Sequence, residues 1–191
     1  MHLKRPPVVR ELPEEYTRVT NPERLLPLHD FAIDLFGRLA NQYDVTESDE
    51  FELIGRMRSF AYARPPITLT PNSHNQAPIS VGFTTFPSLV LRCGKFFNEP
   101  LPVCGCDACA PSVDEEADRL QNFLGPVIAG DFLEEIELPF LGSAHFKWRL
   151  GRMSGPHGLS SGGFGVSRDE ARALRRTGFK RIQWDRWSRR T

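Results

Sequence analysis

The chain has 191 residues, 40% of them hydrophobic and 25% charged, and its 24 basic and 24 acidic residues leave no formal net charge. That is one domain's length, able to bury a core without staples, and the balance excludes both a disordered chain and a protein that is basic overall. No run of about 18 apolar residues exists to span a membrane.

The beginning, MHLKRPPVVREL, lacks the apolar stretch of a secretion signal, so the expectation is a cytoplasmic protein with no membrane partner. Residues 1–19 carry Pro6, Pro7 and Pro13 without helical periodicity and read as an extended arm that Val8, Val9, Leu12 and Tyr16 pin across the surface. Thr20-Asn21-Pro22-Glu23 reads as a helix start, with a capping side chain before a proline that needs no amide donor. Leu28, Ala32, Leu35, Phe36 and Leu39 then form one apolar stripe of 3.6-residue period, predicting a helix over 27–43.

Residues 44–64 have no clear period. Beyond Pro65-Pro66 the pattern alternates, giving strands at 67–70, 79–84 and 88–93. Residues 94–111 read as a loop. Ser112-Val113-Asp114-Glu115 is a capping box opening a second helix, with Gly125-Pro126 disturbing it and Gly130 as its cap. Phe132–Leu138 and His145–Leu150 read as a strand pair. The six glycines between 151 and 166 predict a flexible loop. A second capping box at Ser167-Arg168-Asp169-Glu170 opens a short helix ended by Gly178, and 179–187 reads as an edge strand. The implied fold class is α+β, an antiparallel sheet of about five strands with helices packed on one face. It divides into the arm, a core over 20–150, and a Gly-rich loop with a basic Trp/Arg-rich segment over 151–191.

All four cysteines fall within residues 93–109, and Cys104-Gly-Cys106-Asp-Ala-Cys109 combines C-x-C with C-x-x-C. In a reducing compartment such spacing points to metal or thiol chemistry more than to a structural disulfide. Tetrahedral zinc needs four soft or borderline ligands, and one loop supplies three of them here. Cys93, at the end of a predicted strand, is the expected fourth ligand, with His145 and His74 as substitutes. Two other readings stay open. One is thiol redox chemistry at Cys106 and Cys109, assisted by Asp107 or a histidine, with the following helix lowering the Cys109 pKa; iron–sulfur chemistry belongs with it. The other is a set of inert thiols holding a tight loop.

Charge is uneven. Residues 145–191 hold twelve lysines and arginines against Asp169, Glu170 and Asp185, a local charge of +9. With Trp184 and Trp187 interleaved, residues 168–191 form a candidate nucleic-acid surface; the plainer expectation is that this segment folds onto the acidic stretch 114–137. Glu134, Glu135 and Glu137 read as a solvated strand, and Met57 and the phenylalanines as core. His157 reads as an exposed loop residue. No phosphate-binding loop, dinucleotide fingerprint, nucleophile elbow or H-E-x-x-H motif is present, so no catalytic residue is assigned and the reading leans away from an enzyme.

Four stretches, Tyr16–Arg24, Pro27–His29, Phe83–Pro87 and Cys104–Cys109, together resemble an uncharacterised bacterial, chiefly actinobacterial, family known only as a domain of unknown function. The resemblance covers about residues 14–150 and the Trp/Arg-rich end. It implies that the C-G-C-D-A-C loop is important, and it implies no activity, cofactor or catalytic residue. Cys93 is not a fixed part of its pattern. The functional expectation is therefore an accessory or protein-interaction module, acting on an unknown protein partner, with a structural cysteine loop that binds zinc.

Overall fold

The computed structural model describes residues 13–51, 60–152 and 158–191. The arm before Pro13, Met57 and His157 lie outside these. Tyr16, expected to pin the arm, is half exposed within a short 3-10 turn at Glu14–Tyr16.

The fold is α+β, with a five-stranded antiparallel sheet as expected and a second sheet beside it. The first runs in the order β1 (Val45–Ser48), β2 (Tyr62–Pro71), β3 (Ile79–Thr84), β4 (Leu89–Cys93), β5 (Phe97–Leu101), each strand antiparallel to the next. The second has the order β8 (Leu159–Val166), β7 (Ala144–Gly151), β6 (Phe132–Glu137), β9 (Arg181–Gln183). Among the described residues three α-helices accompany them: α1 (Pro27–Gln42), α2 (Val113–Ala129) and α3 (Arg168–Arg176). None of the described helices is long and apolar enough to cross a membrane.

The expected stripe of α1 is buried at Leu28, Ala32, Phe36 and Leu39. Its start differs. Asn21 adopts a left-handed conformation without a side-chain cap, and Pro22–Leu25 forms a 3-10 turn ahead of Pro27. Thr20 is unavailable as a cap because its amide and hydroxyl both bond the Asp107 carboxylate. The capping boxes at Ser112 and Ser167 form, each serine accepting from the third amide of its helix while the glutamate there accepts from the serine. Gly130 closes α2 at φ 80°, and the helix continues through the buried Pro126.

Two segments read as loops are strands. β5 holds Asn98, Glu99 and Pro100, which carry little strand signal, yet the tight turn at 94–96 folds them back along β4. As the outer strand, β5 tolerates a proline that has no amide to give. The second is β8, in place of the flexible loop predicted over 151–166; it pairs with β7 over its whole length, from Val166 opposite Ala144 to Leu159 opposite Gly151. Its glycines disguise it in sequence but fit the structure. A Cβ on Gly162 would stand 2.6 Å from the Trp148 ring, so a side chain there would collide with the indole.

One core joins the two sheets. Leu28, Ala32 and Phe36 of α1 and Leu120, Leu124 and Val127 of α2 pack with β2–β4, with Phe132 and Leu150, and with Trp184 and Trp187. A smaller cluster of Phe96, Ile136, Ala144, Phe146, Ala171 and Phe179 holds α3 against the second sheet. The basic C-terminal segment thus folds onto the chain's own acidic stretch: β9 pairs with β6, placing Arg181 opposite Glu135. Trp184 and Trp187 are core residues, not stacking platforms. Their indole N–H groups donate to the Glu134 carboxylate (2.9 Å) and the Ala77 carbonyl (2.9 Å).

Glu134 is a further departure from the expected solvated strand. It is fully buried, and its carboxylate accepts from the amides of Lys95 (2.8 Å), Phe96 (2.6 Å) and Phe97 (3.1 Å) as well as from Trp184. Burial pushes this carboxyl up, and the four donors oppose that. All four partners are donors, so a proton on either oxygen would meet an N–H; the ionised form is the one the site accommodates.

Candidate metal centre

The cysteine loop leaves the first sheet at Leu101, passes a cis peptide to Pro102, and ends at Ser112, the cap of α2. A tight turn shapes its middle: the Cys106 carbonyl accepts from the amides of Cys109 (3.2 Å) and Ala110 (2.9 Å). Ala110 has φ 40°. Gly105 lies directly against the Phe86 ring, where any Cβ would overlap the aromatic carbons. A side chain at position 105 would therefore have to displace the Phe86 ring.

A strap formed by residues 14–20 holds the loop from the other side. The amides of Asp107 and Ala108 donate to the carbonyls of Arg18 (2.9 Å) and Glu15 (3.1 Å). The Asp107 carboxylate accepts from Arg18 Nε (2.7 Å), the Thr20 amide (2.6 Å) and the Thr20 hydroxyl (2.8 Å). The Arg18 donor, then the two from Thr20, hold its carboxyl down at about 2. A carboxylate so committed is a brace for the strap, not the helper of a thiol. Sequence reasoning missed Glu15, Arg18 and Thr20 as neighbours of the loop.

The Sγ atoms of Cys104, Cys106 and Cys109 lie within 4.8 Å of one another, with Cys104 and Cys106 at 3.2 Å. A tetrahedral zinc with Zn–S bonds of about 2.3 Å requires sulfur separations near ~3.8 Å, which falls between those two distances. Cys106 is buried, whereas Cys104 and Cys109 are exposed. The Cys104 thiol, followed by the Cys109 amide, holds Cys106 below the ordinary thiol value. Cys109 is pushed up to about 11 by its Cys104 and Cys106 neighbours. The expected lowering of Cys109 by the following helix is not found; the neighbouring thiols raise it instead. Three sulfurs this close cannot all ionise without a shared cation, and the donor set therefore suits a single thiophilic metal ion.

The structure brings together three of the four predicted ligands. Cys93 is fully buried in β4, opposite Ile79 and Phe97, within the main core. Burial, then the Glu134 charge, pushes its thiol well above the ordinary value. His145 lies in β7 and His74 in the turn after β2, and neither joins the cluster. Among the described residues, the three loop cysteines are the grouping of potential ligands.

The four stretches that carried the resemblance converge at this corner. Arg18 and Thr20 clamp Asp107 within the cysteine stretch, and Phe86 covers Gly105. The remaining stretch supplies His29, whose Nε2 lies 3.0 Å from the carbonyl of Ser88, two residues beyond Phe86. The joint occurrence of these stretches was the one signal in the sequence available for finding the strap.

No curated protein and no solved structure matches this chain. A family model described as "Family of unknown function (DUF6226)" matches residues 6–191, and the chain belongs to that family.

Proposed function

We propose that this protein is a non-enzymatic, cytoplasmic interaction module whose cysteine loop binds one zinc ion through Cys104, Cys106 and Cys109. The observation that carries this reading is the convergence of three Sγ atoms within 4.8 Å on a loop already braced by backbone hydrogen bonds. The ion would neutralise adjacent thiolates and fix the corner where the strap, the Phe86 turn and the start of α2 meet. Contact with a protein partner is supported by exposed apolar side chains: Val103 beside the loop, and Phe140 and Leu141 at 94% and 81% exposure in the β6–β7 turn.

Metal analysis combined with thiol titration tests it. Purified full-length chain is expected to contain one zinc per chain, with its loop thiols slow to react until a chelator is added. Cys106→Ser should lose the metal, whereas Cys93→Ser should keep it. Metal-free protein that binds no added zinc and whose loop thiols react at once would overturn the reading.

Thiol exchange is the second reading, supported by the 3.2 Å approach of Cys104 to Cys106 and the lowered Cys106 thiol. It shifts the pair from the expected Cys106–Cys109 to Cys104–Cys106. Mass spectrometry after mild oxidation distinguishes the two: rapid, reversible loss of two hydrogens in metal-free protein favours exchange, and resistance in the zinc-loaded form favours a metal site.

A further inference from the structure

We infer that the fourth coordination position of the cysteine centre is open to solvent and accepts a neutral nitrogen donor of the imidazole class in exchange for water. This rests on the metal reading above and goes beyond it. Structural zinc sites close with four protein ligands, whereas sites with three protein ligands keep a position for an exchangeable one.

The first argument is the donor count. Among the described residues, the histidine, cysteine, aspartate and glutamate side chains contribute only three atoms to the cluster. Asp107, within the loop itself, has both its oxygens used by Arg18 and Thr20. Cys93 is enclosed in the core at 0% exposure, and moving it to the loop would disrupt β4 in mid-sheet.

Access is the second argument. Cys104 and Cys109 are exposed, so the centre lies at the surface instead of beneath it. Val103, next to Cys104 in the chain, is 63% exposed, and Phe86 against Gly105 is 37% exposed. These apolar neighbours suit the edge of an aromatic ring better than a hydrated anion.

Charge selects the class of donor. Three thiolates around a divalent ion leave a net charge of −1, and a fourth thiolate would raise it to −2. Among the described residues, Arg18 is the cation bonded to the loop; it is committed to Asp107 at 2.7 Å and to Glu14 at 3.4 Å, and offers no surplus charge to offset that increase. A neutral imidazole leaves the charge unchanged, and it is a common zinc ligand in its neutral form.

Cobalt(II) substitution of the full chain tests this, because its d–d bands report the ligand set independently of any activity. With one cobalt bound per monomeric chain, imidazole is expected to shift those bands saturably, with one ring per metal. 2-Mercaptoethanol at the same concentration is expected to shift them at least tenfold less effectively, and Cys93→Ser should leave the imidazole titration unchanged. Bands that stay fixed under imidazole at one cobalt per chain would show a site closed by the chain itself. A metal-to-chain ratio of one to two would show closure by a second copy, and a preference for the thiol would overturn the charge argument. If no cobalt binds, the metal reading fails, an outcome distinct from cobalt bound without a response.

Discussion

Two carboxylates organise loops in this protein by the same means and in opposite surroundings. Glu134 is enclosed, and its acceptor positions are filled by the amides of Lys95, Phe96 and Phe97 and the indole of Trp184. It fastens the β4–β5 turn to the second sheet and the C-terminal segment. Asp107 gathers Arg18 and Thr20 at the surface and fastens the strap to the cysteine loop. Around Glu134 each polar valence is met from within the chain, whereas beside Asp107 three thiols share a cramped space that no described side chain neutralises. A saturated constellation is structural, and an unsaturated one at the surface is where chemistry from outside can enter.

The largest expected effect lies at the saturated site. Glu134→Ala would leave several buried N–H donors without an acceptor, each costing roughly 1–3 kcal/mol, so urea denaturation should register a loss of about 3–5 kcal/mol. A loss below about 1 kcal/mol would mean that water or a rearranged turn replaces the carboxylate, and the contrast with Asp107 would lose its basis.

A smaller and more local effect is expected from Gly105→Ala, which drives a methyl into the Phe86 ring. Zinc affinity should fall at least tenfold while the midpoint of thermal unfolding in chelator moves by only a few degrees, about what 1 kcal/mol does to a domain of this size. Combining it with Phe86→Ala should restore most of the affinity. Failure of that rescue would show that the glycine is needed for its backbone and not for the space.

Asp107→Asn sharpens the comparison from the other side and should have the smallest effect on global stability. The amide keeps the shape but loses the charge that attracts Arg18, so the strap at 14–20 should exchange its amide hydrogens faster with little change in the unfolding midpoint. A loss of stability as large as that of Glu134→Ala would place Asp107 among the structural carboxylates and remove the distinction.

Much of the scaffold was legible because local rules agree with the fold. The apolar period of α1, the capping boxes of α2 and α3, and the alternation in β3 and β7 each express a preference that the core rewards. β5 and β8 were illegible for a physical reason. An edge strand is specified largely by its neighbour's unpaired backbone, and Pro100 or Gly163 supplies no side-chain signal of that pairing. The cysteine loop was recognisable as three converging thiols from spacing alone, but the assignment of Cys93 required knowing where a strand end points. Its place opposite Ile79 and Phe97 makes it core.

By itself, the order of residues determined the α+β class, the capped starts of α2 and α3 and the short-range meeting of Cys104, Cys106 and Cys109, since these depend on contacts a few residues apart. The division into two sheets, the burial of Trp184, Trp187 and Glu134, and the clamp between Asp107 and the strap were decided by tertiary structure. Those contacts join residues 37 to 110 positions apart or depend on which face of a strand is covered, and no local pattern encodes a partner at that distance.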